Sequence, residues 1–366
     1  MSQTLGYMTV NPEHELAYST EIGKRSKALG FTLFRFCPLD IDPASLLING
    51  QKFNPVTESF EEASMPLPPF IYDRCFYGKG SRSSKSKPIV EWLKKNPHTT
   101  FLGKGLPTKW EVYEFLSRHK TLSFYMPQTV KINHFEQISL FLFKERSCLL
   151  KPAAGSQARG IMAIRIQGRK IELVYHSGKN KKSKEFHTMA EFEKWFTEYL
   201  KQSKLTYLMQ PLLSLQNKRG YPFDIRTLLQ KDEAGNWCVR GKGIRSGYHG
   251  SFVSNLGSGG ESSTFEEWIS TFSKKERFLI EDELATILKA LPEALETAFP
   301  SLFEIGLDIG FSRNGSLWIL DVNSKPGHKL ILQAVPEQTE ILYRAPLAYC
   351  AFLLNKQSQK KGSPVE

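Results

Sequence analysis

Leu307-Asp308-Ile309-Gly310-Phe311, then Ser312–Ser316, then Leu317-Trp318-Ile319-Leu320-Asp321-Val322-Asn323-Ser324-Lys325-Pro326-Gly327 is the stretch on which the fold turns. Arg313-Asn314-Gly315 is a hairpin signal, because asparagine and glycine tolerate the left-handed backbone of tight turns. It joins two apolar strands, one carrying Asp308 and the other Asp321 and Asn323. Side chains two apart on a strand share a face, so Asp321 and Asn323 point the same way. Two carboxylates and an amide oxygen on adjacent strands are hard donors of Mg²⁺ character, leaving room for waters and phosphates. The competing reading, two acids facing water on an edge hairpin, sits poorly with Leu317–Leu320 and Val322, which read as buried on at least one face.

Upstream, Tyr221–Gln230 alternates with period two, placing Asp224 and Arg226 on one face and Phe223, Ile225 and Leu229 on the other. Asp232–Trp237 reads as a hairpin to a strand carrying Lys242 and Arg245. A face with Arg226, Lys242 and Arg245 is expected to need an anion, which suggests a phosphate or carboxylate clamp. Leu149–Ile161 delivers Lys151 into a small-residue loop with Gly155 and Ser156. That loop is either an ordinary hairpin turn or a cradle of backbone N–H groups for phosphate. It is not Walker A, since the Gly-Lys-Ser/Thr ending is missing. Lys109 opens a helix that runs to His119; alone it reads as solvated, and only the rest of the set gives it a ligand role. Leu205–Leu213, with Met209, Gln210 and Leu212, is either core strand plus turn or a hinge that reads an adenine edge. Ser254–Gly260, with Asn255, is either a linker or an anion-binding loop.

The chain has 366 residues, 40% hydrophobic and 23% charged, which excludes wholesale disorder and suggests two or three domains. No apolar run reaches the roughly 18–20 residues of a membrane span, and Met1–Met8 lacks the features of a signal peptide; a cytoplasmic location is the expectation. Five widely spaced cysteines form no CxxC pair and fit reduced core thiols better than disulfides or zinc. The net charge of +12 is concentrated in Lys79–Lys87, Lys179–Lys184 and Lys356–Lys361, without the interleaved aromatics of a single-strand nucleic-acid platform. At the N-terminus, Leu5–Val10, a helix over Glu13–Leu29 and Phe31–Phe36 predict a small open α/β sheet. Leu46–Phe53 predicts a hairpin through Asn49-Gly50. A further strand ends in Asp73-Arg74, which serve either the substrate side or a structural salt bridge. Ser81–Lys87 predicts a loop, and the residues after Lys356 an unstructured basic tail.

Taken in order, these segments resemble the ATP-grasp superfamily and, within it, the YheC/YheD branch, often labelled endospore coat-associated. The pieces most specific to the branch are Tyr72-Asp73-Arg74, Lys109-Trp110, Pro127-Gln128-Thr129, Lys151-Pro152…Gly155-Ser156…Arg159-Gly160-Ile161, Phe223-Asp224-Ile225-Arg226, Ser254-Asn255-Leu256 and Asp321-Val322-Asn323-Ser324-Lys325-Pro326-Gly327. The chain departs from the pattern at Ala158, where family loops often carry glycine, and at Asp321, where many members carry Glu.

The resemblance implies an α/β (α+β ATP-grasp) fold: an N-terminal pre-ATP-grasp α/β domain, then two sheet-containing lobes that sandwich ATP. The expected division is 1–105, 106–213 with the lid, 214–355 with the metal site, and a tail over 356–366. Lys109 and Lys151, with Gly155 and Ser156, would hold phosphates; Met209, Gln210 and Leu212 would meet adenine; Asp224 and Asn255 complete the nucleotide site. Arg226, Arg245 and Lys151 would act in catalysis. Asp308, Asp321 and Asn323 would hold Mg²⁺, or Mn²⁺ in its place. The implied activity is an ATP-dependent carboxylate–amine ligase working through an acyl phosphate, with a small-molecule or peptide carboxylate and an amine acceptor as partners. A non-catalytic nucleotide-binding spore-coat scaffold is the alternative, and a small-molecule kinase on the same fold is a third reading.

Overall fold

A computed structural model describes residues 3–78, 80–153, 160–177, 180–217, 219–247, 261–299 and 301–362. Three sheets follow one another along the chain. The first contains β1 (Gln3–Met8), β2 (Phe31–Phe36), β3 (Leu47–Asn54), β4 (Ser59–Pro66), β5 (Phe70–Asp73) and β6 (Thr100–Phe101), ordered β4-β3-β2-β1-β5-β6. Its centre is parallel: β1 pairs with β2 and β5 in that sense, and β5 with β6. Helix α1 (Leu16–Ser26) crosses from β1 to β2, and α2 (Ser81–Lys95) follows β5. Both faces of the sheet are covered, as parallel strands require. Tyr7, Leu33 and Phe70 pack with α1 on one face, while Met8, Phe34 and Ile71 meet Val90 and Leu93 of α2 on the other.

Two expectations fail in this sheet. Asn49-Gly50 lies inside β3, paired with Ser64 and Ala63, and the turn falls instead between Asn54 and Ser59. Gly50 is needed there for a different reason, since a Cβ would come within 2.4 Å of the Arg35 carbonyl. Ser81–Lys87 is helical rather than a loop. Its buried Ser83 and Ser86 are small enough to pack against the sheet, so this half of the helix carries no apolar stripe to read.

After α3 (Lys109–Leu116), the second sheet is antiparallel. It contains β7 (Val130–Lys131), β8 (Ser147–Pro152), β9 (Met162–Gln167), β10 (Lys170–Ser177), β11 (Asn180–Phe186) and β12 (Tyr207–Pro211), ordered β11-β10-β9-β8-β12-β7. The helices α4 (Phe135–Glu145) and α5 (Met189–Ser203) cover one face, burying Ile138, Leu142, Phe192 and Phe196 against Leu150, Ile164 and Met209. The third sheet is β13 (Phe223–Lys231), β14 (Trp237–Ser246), β15 (Glu261–Thr264), β16 (Glu304–Phe311) and β17 (Leu317–Asn323), ordered β15-β14-β13-β16-β17. Its apolar face packs on α6 (Phe265–Ile269) and α7 (Lys274–Ala298). The short α8 (Lys329–Ala334) leads to α9 (Thr339–Gly362), which returns to the first sheet's core through Leu347, Tyr349 and Cys350. Residues 356–362, expected to be unstructured, continue this helix, and Gln357 Nε2 donates to Thr100 Oγ1 at 2.8 Å. Cys37, Cys75, Cys148 and Cys350 are buried free thiols and Cys238 is half-buried. No helix among the described residues is long and apolar enough to cross a membrane.

A buried ionic knot joins the first sheet to the third. Arg74, fully buried after β5, donates to Glu15 Oε1 at 2.5 Å, to Glu304 Oε1 at 2.6 Å and to the Pro326 carbonyl at 2.8 Å. Tyr72, Gln230 and His328 complete the shell around Glu304. Burial opposes ionisation of Glu15, yet the Arg74 guanidinium outweighs it and holds that carboxyl at about 2. A depressed acid contributes stability that is complete above its ordinary pKa and is lost as pH falls through the folded value. The window here runs from about 4.5 down to about 2. Glu15→Gln is therefore expected to flatten the acid limb of the stability–pH curve over that window, read by denaturant titration at each pH; an unchanged slope contradicts it.

Candidate nucleotide and metal site

The hairpin of β16 and β17 forms as its sequence predicts. Ser312 N and the Ser316 carbonyl close the turn, and Gly315 takes a φ of 88°. Leu307, Ile309, Leu317 and Ile319 enter the core beneath the sheet. Strict alternation would send Asp321 the same way as Leu317 and Ile319. A register shift prevents this: Asp308 pairs with Asp321 but Ile309 pairs with Ile319, so Leu320 is an extra residue, a β-bulge. Beyond it, Val322 takes the core side, and Asp321 and Asn323 share the open face with Asp308. This bulge creates the site, and no signal in the sequence marks it.

Two lysines from different elements converge on the bulge. Thr108 caps α3 and forms a reciprocal box with Glu111, which fixes the helix start and places Lys109 in its first turn. Lys109 Nζ lies 2.5 Å from Asp321 Oδ2, which also accepts from Asn323 Nδ2 at 3.2 Å. On β8, alternation buries Cys148, Leu150 and Pro152 and turns Lys151 to the opposite face, where its ammonium donates to the carbonyl of the bulged Leu320 at 3.2 Å. Burial draws the Lys151 ammonium down to about 8, with Asp321 pulling the other way and Lys109 adding to the depression. The cleft between these groups is narrow, about 30 Å³, and is lined by Lys109, Thr129, Lys151, Leu208, Gln210 and Asp321 among others. Small-molecule pockets measure roughly 300–1,000 Å³, so the cleft as it stands is too small to enclose such a ligand.

On the neighbouring strands, Asp224 and Arg226 share a face as expected. Arg245 donates to both oxygens of Asp224 at 2.7 and 2.8 Å and lies 2.9 Å from Asp308 Oδ1, which is also bonded to Arg226. Burial opposes ionisation of Asp308, but Arg226 and Arg245 hold it well below the usual carboxylate range. The clamp expectation changes in two respects. Lys242 stands opposite Thr227, on the other face, with its ammonium 4.0 Å from the centre of the Phe265 ring. Three residues from Arg245 is an odd step along a strand, which gives the reason. The remaining arginines do not need an outside anion, since Asp224 and Asp308 balance them. Gly306 matters here as well: a Cβ would come within 2.8 Å of Arg226 Nη2 and 2.6 Å of Pro326. Gly306→Ala is expected to cost about 1–3 kcal/mol of stability by pushing Arg226 off Asp308; denaturation within 0.5 kcal/mol of wild type, on the order of surface-mutation effects, refutes that.

The hinge residues separate. Gln210 lines the cleft, where its Nε2 donates to Thr129 Oγ1 at 2.6 Å. Met209 points to the opposite side, into the core of the second sheet, and its backbone pairs with Leu150 and Val130. Leu212 follows the end of β12 and is half-buried. Gly155, Ser156 and Ala158 of the phosphate loop, and Asn255 with the rest of Ser254–Gly260, lie outside the described residues. Of the substrate-side pair, Arg74 belongs to the structural knot, while Asp73 meets Lys325 at 2.6 Å. Among the described residues no group of three or more His, Cys, Asp and Glu is placed to hold a metal ion; the donors expected from the sequence are two aspartates and an amide. These donors fit Mg²⁺, which takes one or two carboxylates plus phosphate and water oxygens. The Lys109 ammonium already stands on Asp321 in the manner of a resident cation.

With this geometry in hand, comparison with known proteins gives a consistent result. The family described as YheC/D-like ATP-grasp matches residues 98–353. The chain is 43% identical over 363 residues to the endospore coat-associated protein YheC of Bacillus subtilis (strain 168), covering 99% of each. Among solved structures, the D-cycloserine synthetase DcsG superposes with a TM-score of 0.58 at 13% identity, over 95% of this chain and 99% of that one. The D-alanyl-alanine synthetase A of Vibrio cholerae O1 biovar eltor superposes with a TM-score of 0.52 at 12% identity, over 96% and 99%.

Proposed function

The chain belongs to the YheC/D-like ATP-grasp family, and from that premise we propose that it is an ATP- and Mg²⁺-dependent carboxylate–amine ligase. The observation that carries the reading is the convergence of Lys109 and Lys151, from two elements, on the bulge that presents Asp321. An ammonium on a carboxylate and another on a backbone carbonyl are both weakly satisfied beside a triphosphate, which carries several charges and draws both lysines to its oxygens. Their transfer releases Asp321 and Asn323. Asp321 and Asn323, with Asp308 on the paired strand, would hold Mg²⁺, which would supply neutralisation of the phosphate charge. Arg226 and Arg245 lie on the same face, and a γ-phosphate competes with Asp308 for their donors.

In the reaction, a carboxylate oxygen attacks the γ-phosphorus, the bond to the bridging oxygen breaks, and ADP leaves with the electron pair. An amine nitrogen then attacks the acyl carbon, phosphate departs, and the nitrogen loses a proton. The cations offset the repulsion between the two anions and the charge spread over the transferring oxygens. The second sheet, bearing Lys151, acts as the lid that keeps water from the acyl phosphate. The acid is an amino acid or a peptide-like molecule in spore or envelope biogenesis; the endospore coat-associated name of the Bacillus relative supports that setting.

The test is ADP release over a panel of acids and amines, with mass spectrometry of the product. Release that requires both an acid and an amine, with an amide formed, is expected. A phosphate ester would make the protein a kinase, and nucleotide binding without turnover across the panel would make it a scaffold.

A further inference from the structure

The turn that follows α3 frames a second cavity. Leu122 is buried in the core of the third sheet, and His119 Nδ1 accepts from the backbone N–H groups of Thr121 and Leu122, both at 3.2 Å. Ser123 N donates to the His119 carbonyl at 3.1 Å, and Met126 N to the Ser123 carbonyl at 3.2 Å. The turn is thus pinned at both ends. It presents Lys120, Thr121, Phe124 and Tyr125 to a space completed by Glu283 of α7 and by Leu317 at the start of β17. That space measures about 400 Å³, within the roughly 300–1,000 Å³ of small-molecule pockets. It shares no lining residue with the cleft at Asp321. Leu317 begins β17 and Asp321 comes near its end, roughly 13 Å apart at the rise of a strand. Reacting atoms must come to about 3–3.5 Å, so the two places are separate sites.

Two opposite charges line this cavity, Lys120 and Glu283, and they are not joined to each other. Among the described residues neither makes an ion pair or a hydrogen bond. Arg118 is paired with Glu114 at 3.9 Å and adds nothing to the balance. Burial, then Glu283 and Asp282, raises the pKa of the Tyr125 hydroxyl, which keeps its proton close to those acids. Much of the remaining wall is apolar. Phe124 is 80% exposed, and beside the cavity Leu279, one helical turn from Glu283, is 52% exposed. An aromatic ring next to a carboxylate favours an ammonium, and a lysine favours a carboxylate. A zwitterion of net charge zero satisfies Lys120 and Glu283 together, and Asp282 adds to the attraction at its ammonium end.

We propose that this cavity is a second ligand site, built for a free amino acid with an apolar side chain. The ammonium meets Glu283 beside Tyr125, the carboxylate meets Lys120, and the side chain lies along Phe124 and Leu317. The site does not rest on the ligase reading, because it takes its ligand without nucleotide.

The experiment uses the full chain in the absence of nucleotide. The probes are leucine, methionine and phenylalanine, in L and D forms, titrated by calorimetry. For each, the amide lacks the carboxylate and the N-acetyl derivative lacks the ammonium. At least one free amino acid binds, and each of its one-charge derivatives binds about 10- to 100-fold more weakly, the loss of one charge-assisted hydrogen bond. Glu283→Gln weakens the free amino acid by a similar factor, and in that variant acetylation costs little more. Lys120→Met does the same, and there amidation costs little more. Lys120 is exposed and Glu283 half-buried, so both variants are expected to fold, which denaturant titration checks. If no amino acid of the panel binds, the proposal is overturned. Binding that survives either substitution belongs to another place, the nucleotide cleft included, and overturns it as well.

Discussion

Asp321→Ala is expected to lower ATP-dependent ADP release by at least about 10²–10³, the range found when one group that stabilises developing charge is removed. The reason lies in the bulge. Asp321 is the carboxylate that Leu320 turns to the open face, and it holds Lys109 at 2.5 Å and Asn323 at 3.2 Å. Under the proposed function its removal would take away a cation ligand, and it frees Lys109 from the contact made here. Lys151→Ala is expected to act with similar size from the opposite side of the cleft. Both are expected to leave the fold in place. Lys109 and Asp321 are each about a quarter exposed, at 25% and 24%, so losing that pair is expected to cost on the order of 1 kcal/mol. Near-normal ADP release by either folded variant removes that residue from the mechanism.

The second large effect concerns stability. Arg74→Met is expected to destabilise the protein by about 3–5 kcal/mol, because it strands Glu15 and Glu304 without their shared cation. Glu304 is 3% exposed and lies where the third sheet meets the first, so its charge has no route to water. Removing the whole set, as Arg74→Met/Glu15→Gln/Glu304→Gln, is expected to recover most of the loss, since a buried ion pair gains little over neutral neighbours. Denaturant titration separates the two. A loss under 1 kcal/mol in Arg74→Met, the size of a surface pair, would mean that the knot is ornamental to stability. Because the knot spans two sheets, the same titration also reports whether they unfold together.

Local chemistry was readable from the sequence where one turn or one strand decided it. Arg313-Asn314-Gly315 gave the hairpin, and period-two spacing put Asp224 with Arg226 and Asp321 with Asn323. The same period-two spacing sends Lys242, three residues from Arg245, to the other face of β14. What could not be read depends on distant partners. The bulge at Leu320 exists because a strand of seven residues must bury Leu317, Ile319 and Val322 while facing Asp321 outward, and its carbonyl finds a donor 169 residues away. Lys109 looked like a solvated helix start because its acid lies 212 residues on. Asn49-Gly50 carried a turn signal that tertiary pairing overrode, and Ser83 and Ser86 of α2 contributed small polar contacts that no hydrophobic pattern marks.

The claim on which the rest depends is that the open face of β17 and the two lysines opposite it hold a magnesium nucleotide together. Calorimetric titration of the full chain with a non-hydrolysable ATP analogue, with and without Mg²⁺, repeated on Asp321→Ala, tests it most directly. The account predicts binding that requires Mg²⁺ in the wild type and weakens by about 100-fold, near 3 kcal/mol, in the variant. Equal affinity in the two proteins, or binding indifferent to Mg²⁺, would contradict it.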